Sequence, residues 1–240
     1  MHILEQGEDP GEVARSSNAQ IIGMAGGDGS LAAVAAVALE TGAAFVCVPF
    51  GTRNHFARDI RLDRDNPFAA LAAFTDGVER RIDAGRIGGR LFLNNVSLGV
   101  YAGLVHRREE HRRRGEALAH LRALLQVARH RHHLHARVNG EGVDARVVLV
   151  GNNRYELSLF TLGERTRLDE GLLQLWIAAG LLPTAWEERT GPTFRIELPG
   201  GRARAAIDGE PATLESPLVF ESLPKALRLL VPERTGEQSP

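Results

Sequence analysis

Ile21-Ile22-Gly23-Met24-Ala25-Gly26-Gly27-Asp28-Gly29-Ser30 is the stretch on which the reading of this chain turns. A short apolar run ends in Gly-Gly-Asp-Gly-Ser, and an alanine-rich helical pattern from Leu31 to Glu40 follows at once. Strand, glycine turn and helix in that order aim backbone N–H groups and a helix N-terminus at one point, which suits a phosphate. Glycine permits positive φ and lets a ligand approach the backbone with no side chain in the way. The Ser30 hydroxyl can cap the helix or donate to a phosphate oxygen. Asp28 needs its own explanation, because a carboxylate beside a polyphosphate is repulsive unless a backbone turn, a ribose hydroxyl or a cation holds it. On this stretch alone a second reading stays open: a plain strand-to-helix turn in which the glycines solve geometry and Asp28 is a cap.

Working outward, strand Ile21–Met24, helix Leu31–Thr41 and strand Phe45–Val48 alternate as in a parallel α/β sheet. Upstream, His2-Ile3-Leu4 reads as the tail of a short strand. Pro10 to Ser17 reads as a helix with Asp9 as N-cap and Pro10 at its first position. Downstream, Pro49 to Arg58 forms a second polar loop at a strand's C-terminal end, where open α/β sheets bind ligands. A helix is expected from Phe68 to about Thr75, ended by Asp76-Gly77. From Val78 the texture changes to short strands separated by glycine turns: Arg80–Arg86, Arg90–Ser97, Leu134–Val138, Ala145–Gly151, Leu172–Ala178, Thr193–Leu198, Ala203–Ile207 and Leu218–Glu221. A long helix with one apolar face, about Gly115 to His130, interrupts them.

The expected fold class is therefore α/β plus β-rich. Residues 1–78 form a doubly wound, parallel-sheet nucleotide-binding domain, completed by a returning strand within 222–232. Residues 79–221 form an antiparallel, sandwich-like β domain, and 233–240 a disordered tail.

Composition narrows the function classes. The chain has 240 residues, 43% hydrophobic and 25% charged, as a globular protein does. A formal net charge of -1 supplies no global field for nucleic acid, so nucleic acid is not an expected partner and any basic recognition is local. Cys47 is the only cysteine, which rules out an intrachain disulfide and suits a reducing cytoplasm. It lies in an apolar run and reads as a buried small residue. No apolar run approaches the roughly 20 residues that span a bilayer. The expected location is cytoplasmic, with peripheral attachment at the inner membrane face and a homodimer both left open.

Gly26-Gly27-Asp28-Gly29-Ser30, Gly51-Thr52-Arg53-Asn54-His55-Phe56-Ala57-Arg58 and Asp208-Gly209-Glu210 together resemble the bacterial diacylglycerol kinase family. These soluble lipid kinases share their nucleotide-binding fold with NAD kinases and 6-phosphofructokinases. The similarity extends through Asn94-Asn95-Val96-Ser97-Leu98-Gly99, Gly151-Asn152-Asn153 and Leu168-Asp169-Glu170-Gly171-Leu172-Leu173. Gly-Gly-Asp-Gly alone fits all three groups, whereas its combination with the other two motifs marks the lipid-kinase branch.

The resemblance implies ATP and Mg²⁺ as cofactors and a lipid hydroxyl, diacylglycerol or a related lipid at a membrane surface, as substrate. Gly26, Gly27, Asp28, Gly29 and Ser30 would wrap the phosphates, with Thr52 and Asn54 in the second nucleotide loop. Glu210 matches the family's general base and Asp208 its essential neighbour. Arg167, Glu170 and Leu172 match a structural Mg²⁺ loop of two backbone carbonyls and one carboxylate, Glu170 standing where aspartate is usual. Phosphoryl transfer is mostly positioning and charge neutralisation, which a backbone cradle, a metal and a proton-accepting carboxylate supply. Gly209 would let Asp208 and Glu210 turn into one cleft. Read without the other motifs, Asp208-Gly209-Glu210 is an ordinary hairpin turn.

Three features depart from the family. Its members begin with another strand carrying Asn-Pro-x-(Ser/Ala)-Gly, absent here; Ile3 falls near a threonine expected to contact ATP; and His55 replaces an aspartate. They leave room for an alternative, a truncated and catalytically inactive nucleotide-binding protein of the same fold, and a more remote one, an NAD kinase. The basic run His106 to Arg114 and the histidines at 130–135 read either as a surface for anionic lipid or as solvated charge completing a helix C-terminus. Trp176 and Trp186 read as core or cleft residues.

Overall fold

The computed structural model describes residues 1–51, 54–99, 134–158, 161–179 and 186–233, without the side chains of 157, 158, 161 and 162. The expected helix at 115–130, nearly all of the basic segment, and the tail beyond 233 lie outside these residues, as does Thr52.

The N-terminal part follows the local signals closely. Helix α1 spans Pro10–Ser16; the Asp9 carboxylate accepts the Glu12 N–H at 3.0 Å, and Pro10 opens the helix. Strand β1 spans Ile21–Gly26, helix α2 Asp28–Thr41 and strand β2 Ala44–Pro49. Helix α2 begins three residues earlier than its apolar pattern suggests, so Asp28, Gly29 and Ser30 form its first turn. Gly42 ends it with φ 74°, the left-handed cap that favours glycine. Strands β1 and β2 pair in parallel from Ile21↔Ala44 to Gly26↔Pro49, which brings the loops that follow them to one sheet edge. Residues 1–5 form no strand; Ile3 is 78% exposed, and His2 pairs instead with Glu8. A short helix α3, His55–Asp59, follows the second loop. The expected helix at 68–75 is a 3₁₀ turn, Pro67–Ala72, running into a single α turn α4, Ala73–Asp76. Its small residues Ala70 and Ala73 let it lie close on Val46 and Val48.

Strand β3 spans Gly77–Ile87, β4 Arg90–Phe92 and β5 Asn95–Gly99. The single strand expected over 90–97 is thus divided, because the chain leaves the first sheet at Leu93-Asn94 and enters the second. The expected strand at 145–151 is likewise divided. Strand β6 is Leu134–Val138, β7 Glu141–Ala145 and β8 Val147–Asn152, and the Arg146 N–H between β7 and β8 goes to the Ala178 carbonyl at 2.7 Å. Then come the two-residue pair β9 (Leu157–Ser158) and β10 (Thr161–Leu162), β11 (Leu173–Ala178), β12 (Trp186–Gly191), β13 (Thr193–Glu197), β14 (Arg202–Ile207) and β15 (Glu210–Glu215). Strand β16, Leu218–Pro232, joins the strand expected at 218–221 and the returning strand expected within 222–232 through a register shift between Leu223 and Leu227.

Strand β16 unites the architecture. Its C-terminal half runs parallel to β2 (Leu229↔Phe45), its N-terminal half pairs antiparallel with β13, and β3 lies along its whole length. The resulting eight-stranded sheet has the order β1-β2-β16-β13-β6-β7, with β3 and β4 on β16's flank. A second, antiparallel sheet has the order β12-β11-β8-β5-β14-β15. One core lies between α2 and the parallel end, built on Leu31, Val34, Phe45, Cys47, Leu227 and Leu229. Another fills the space between the two sheets, with Phe92, Val138, Ile196 and Phe220 facing Val96, Val150 and Leu175. The β-rich part is thus a sandwich. Residue 78, where the sequence texture changes, lies inside β3 of the shared sheet. Cys47 is buried, and burial pushes its thiol well above the usual range, as expected of a core residue.

A buried polar network ties the two cores together. The Arg165 guanidinium donates to Asp59 Oδ2 at 2.6 Å, and neither side chain has solvent-exposed surface. It also donates to the Leu93 carbonyl at 2.6 Å, the Asn152 carbonyl at 3.0 Å and Asn94 Oδ1 at 2.8 Å, while Tyr155 lies beneath it at 5.0 Å. Asn152 Nδ2 donates to the carbonyls of Asp83 and Leu93 at 3.0 and 3.1 Å. From the other side the Asp208 carboxylate accepts the N–H groups of Leu93, Asn94 and Asn95 at 2.7, 2.8 and 3.0 Å. The interruption between β4 and β5 is therefore paired on both sides, as buried backbone must be.

Two outcomes follow from this network. Arg165→Met removes the buried counter-charge of Asp59, which keeps only Arg58, and takes one donor from each of three further buried acceptors, so urea denaturation should show a loss of about 3–5 kcal/mol; a loss under about 1 kcal/mol would contradict it. Burial pushes the Asp208 carboxyl up to about 7, against the pull of its three N–H donors. A folded-state pKa above the unfolded one means that the folded chain keeps a proton the unfolded chain releases. Its stabilising contribution is then full below the ordinary carboxylate range and is lost as pH rises through about 7. The unfolding free energy of the wild type minus that of Asp208→Asn should accordingly fall between pH ~4 and ~7, and a flat or rising difference would show the carboxyl ionised throughout.

Candidate active site

The two loops at the β1–β2 edge touch. A Cβ built on Gly51 would lie 2.5 Å from the Gly27 Cα and 2.6 Å from Asn54 Oδ1, so only glycine permits this approach of backbone to backbone. Gly27 is the N-cap of α2 and contributes no side-chain acceptor to the first turn. A fourteen-residue helix thus presents the N–H groups of its first turn, with the positive end of its dipole, beside the second loop. Ser30 does not cap those groups. Its hydroxyl donates to the Gly27 carbonyl at 3.1 Å and lies against Gly26, where a Cβ would come within 2.7 Å of it.

Asp28 holds the second loop. Its carboxylate accepts the His55 N–H at 3.1 Å and the Phe56 N–H at 3.0 Å, so it caps α3, twenty-seven residues along the chain, rather than its own helix. Of the three ways considered for holding this carboxylate, the fold uses backbone N–H groups. Asn54, just before α3, has φ 48° and is 5% exposed, and its Oδ1 has no hydrogen-bond partner among the described residues. A buried acceptor left open beside the N-terminus of α2 is available to a ligand's donor.

Glu210 reaches this place from the far end of the chain. Ile207 pairs with Glu210 across a two-residue turn in which Asp208 has φ 48° and Gly209 φ 86°, both positive as in a type I′ hairpin. The hairpin reading and the site reading of Asp208-Gly209-Glu210 thus describe the same residues. The turn sends the two carboxylates in different directions, not into one cleft: Asp208 goes inward to residues 93–95, and Glu210 is exposed. The Glu210 side chain lies against the first turn of α2. A Cβ on Gly29 would meet its Cγ and would sit 2.6 Å from Oε1.

The loop matched to a structural Mg²⁺ site does not fit one. Glu170 Oε2 accepts the Arg154 N–H at 3.0 Å and Oε1 the Arg154 guanidinium at 2.9 Å, so each oxygen of the one carboxylate already has a protein donor and its charge is balanced by a protein cation. Of the two expected carbonyl donors, that of Leu172 accepts the Asn153 N–H at 3.0 Å; the Arg167 guanidinium, which is not itself one of the expected donors, pairs with Asp169 at 3.0 Å. Among the described residues no group of three or more His, Cys, Asp or Glu side chains is arranged to hold a metal. His135, the described member of the histidine cluster, pairs with Asp144. Trp176 is buried against Tyr155, and Trp186 is 38% exposed.

Sequence reasoning missed Arg165, Asp59, Arg154 and Asp83. Nothing in the local pattern separates Arg165 from its neighbour Arg167, which is on the surface. Asp83, an acid between Ile82 and Ala84 in a strand, was the one with a visible signal; its buried carboxylate accepts the N–H groups of Gly171 and Lys225 at 2.6 and 2.7 Å.

Residues 3–87 match the family model of the diacylglycerol kinase catalytic domain. The chain is 31% identical over 236 residues to a probable lipid kinase, YegS-like, of Pseudomonas syringae pv. syringae, covering 86% of this chain and 74% of that protein. It is 29% identical over 245 residues to a probable lipid kinase, YegS-like, of Pseudomonas savastanoi pv. phaseolicola, covering 92% and 79%. Among solved structures it resembles two Bacillus anthracis proteins described as diacylglycerol kinases. One has a TM-score of 0.72 at 19% identity, covering 96% of this chain and 85% of that one. The other has a TM-score of 0.67 at 17% identity, covering 96% and 84%. At such identities the structural likeness is one of fold, but the sequence relatives go further: the chain belongs to the diacylglycerol kinase-like, YegS-like lipid kinase family.

Proposed function

We propose that this protein transfers the γ-phosphoryl group of ATP to the hydroxyl of diacylglycerol or a related lipid presented at a membrane surface. The observation that carries the reading is the Glu210 side chain lying on Gly29 at the open N-terminus of α2. A proton acceptor and a phosphate-binding helix end meet there, although 181 positions separate the residues in sequence. In this reading the N–H groups of Asp28, Gly29 and Ser30 hold the triphosphate, Asn54 Oδ1 accepts from the nucleotide, and Thr52 completes the second loop. Mg²⁺ bound to the triphosphate would supply neutralisation of its charge there. Glu210 takes the proton of the lipid hydroxyl; the hydroxyl oxygen bonds to the γ-phosphorus as the bond to the β–γ bridging oxygen breaks, and ADP leaves with the electron pair. Asp28 and Asp208 act through others, the first by fixing α3 and the second by fixing the turn from which Glu210 projects. No helix among the described residues is long and apolar enough to cross a membrane, so the substrate would be met at the surface.

Assayed with radiolabelled ATP and diacylglycerol in mixed micelles, Glu210→Gln should lose about 10²-fold or more in kcat, the usual worth of a general base. Its ATP affinity by calorimetry should stay within a few-fold of wild type. Retained turnover removes Glu210 from the chemistry, and wild-type ATP binding without transfer to any lipid supports an inactive nucleotide-binding protein instead. Gly51→Ala forces the two loops apart, so it should weaken ATP binding by more than about tenfold, or 1.4 kcal/mol, with far-UV circular dichroism unchanged; unaltered affinity would place the nucleotide elsewhere.

A further inference from the structure

We propose that the loop 167–172 is held by an internal cation, the Arg154 guanidinium, and needs no divalent metal to keep its shape. Five polar groups of this loop already have protein partners. The Leu168 carbonyl accepts the Asp83 N–H at 2.7 Å. The Glu170 N–H donates to Asn153 Oδ1 at 3.1 Å, and the Gly171 N–H to Asp83 Oδ2 at 2.6 Å. The Leu172 carbonyl accepts from Asn153, and the Glu170 carboxylate accepts from both the backbone and the side chain of Arg154.

Charge makes the case stronger than geometry alone. A Mg²⁺ ion binds hard oxygen ligands and demands near-ideal octahedral geometry. Here the one carboxylate of the expected donor set faces a guanidinium at 2.9 Å, and the other acid of the loop, Asp169, is paired with Arg167. A dication on Glu170 would have to displace Arg154 or sit beside it against its repulsion. Glu170 is only 12% exposed on its side chain, so its charge requires a partner, and Arg154 is that partner. The consequence reaches the site, because Asn152 and Asn153, which precede Arg154, hold residues 83 and 93 and the loop together. Arg154 thus does for the brace behind Asp208 what a bound ion would otherwise do.

The test uses the whole 240-residue chain without nucleotide, so it stands apart from the kinase reading and from any metal that accompanies ATP. Thermal midpoints are measured after exhaustive EDTA dialysis and again in millimolar MgCl₂, with metal content determined by plasma emission spectrometry. The wild type should hold well under one equivalent of metal, and its midpoint should be the same in both buffers. Arg154→Ala should melt several degrees lower in EDTA and regain part of that loss in MgCl₂, because Glu170 is freed for an ion; Arg154→Ala/Glu170→Gln should melt low and not respond. Stoichiometric metal in the wild type, or a wild-type midpoint that falls on chelation and returns with Mg²⁺, overturns the proposal. That arm needs no variant to fold. An Arg154→Ala midpoint equal to wild type in EDTA overturns it equally.

Discussion

Arg165 and Asp59 place two opposite charges where neither side chain reaches water. Moving such ions out of water costs several kcal/mol each, and the fold recovers this only if attraction and hydrogen bonding are both nearly complete. Here they are: Arg165 donates to a carboxylate, two backbone carbonyls and an amide oxygen, and it stacks on Tyr155. Those partners come from the short helix after the second loop, from the crossing between the two sheets and from the end of β8. The pair therefore sets the position of the loops at the β1–β2 edge relative to the sandwich that carries Glu210. An alternative packing of the two halves would leave buried charge unpaired, which is a far larger penalty than a lost surface contact.

From that anchor the polar chain runs in both directions. Asp59 ends α3, whose first N–H groups are bound by Asp28 at the start of α2. On the other side, Asn94 and Leu93 lead to Asp208, and Asp208 leads through one turn to Glu210. Asp28 and Glu210 thus belong to one connected framework of backbone and carboxylate contacts. The acids of the motifs divide by what their oxygens meet. Asp28 and Asp208 spend theirs on backbone N–H groups, while the Glu210 side chain lies at the surface with its Oε1 near Gly29. Strand β16 supplies the mechanical counterpart, since one continuous strand takes part in both cores and carries the parallel sheet into the sandwich.

Much was visible from the chain alone wherever the cause is local. Asp9 and Pro10 announce α1, the alternation of β1, α2 and β2 follows apolar period and glycine punctuation, and Asp208-Gly209 is a hairpin turn whose φ angles favour those two residues. A returning strand within 222–232 was also expected, and residues 229 and 230 do pair in parallel with β2. Strands β7, β12 and β15 were not, because at least half of each strand is exposed to solvent, which weakens any periodic signal.

What the sequence determined, then, is the identity of the pieces: glycines that bend, caps that start helices, apolar stripes that bury, and a motif set pointing to a lipid-kinase family. Tertiary structure alone decided their employment. It matched Arg165 with an acid 106 residues away, made Asp28 the cap of another helix, broke the 90–97 strand where Asp208 captures its backbone, and put Arg154 on the carboxylate where a metal was expected. The physical reason is that turns and caps are governed by neighbours along the chain, whereas the pairing of a buried charge depends on which groups arrive beside it once the sheets close.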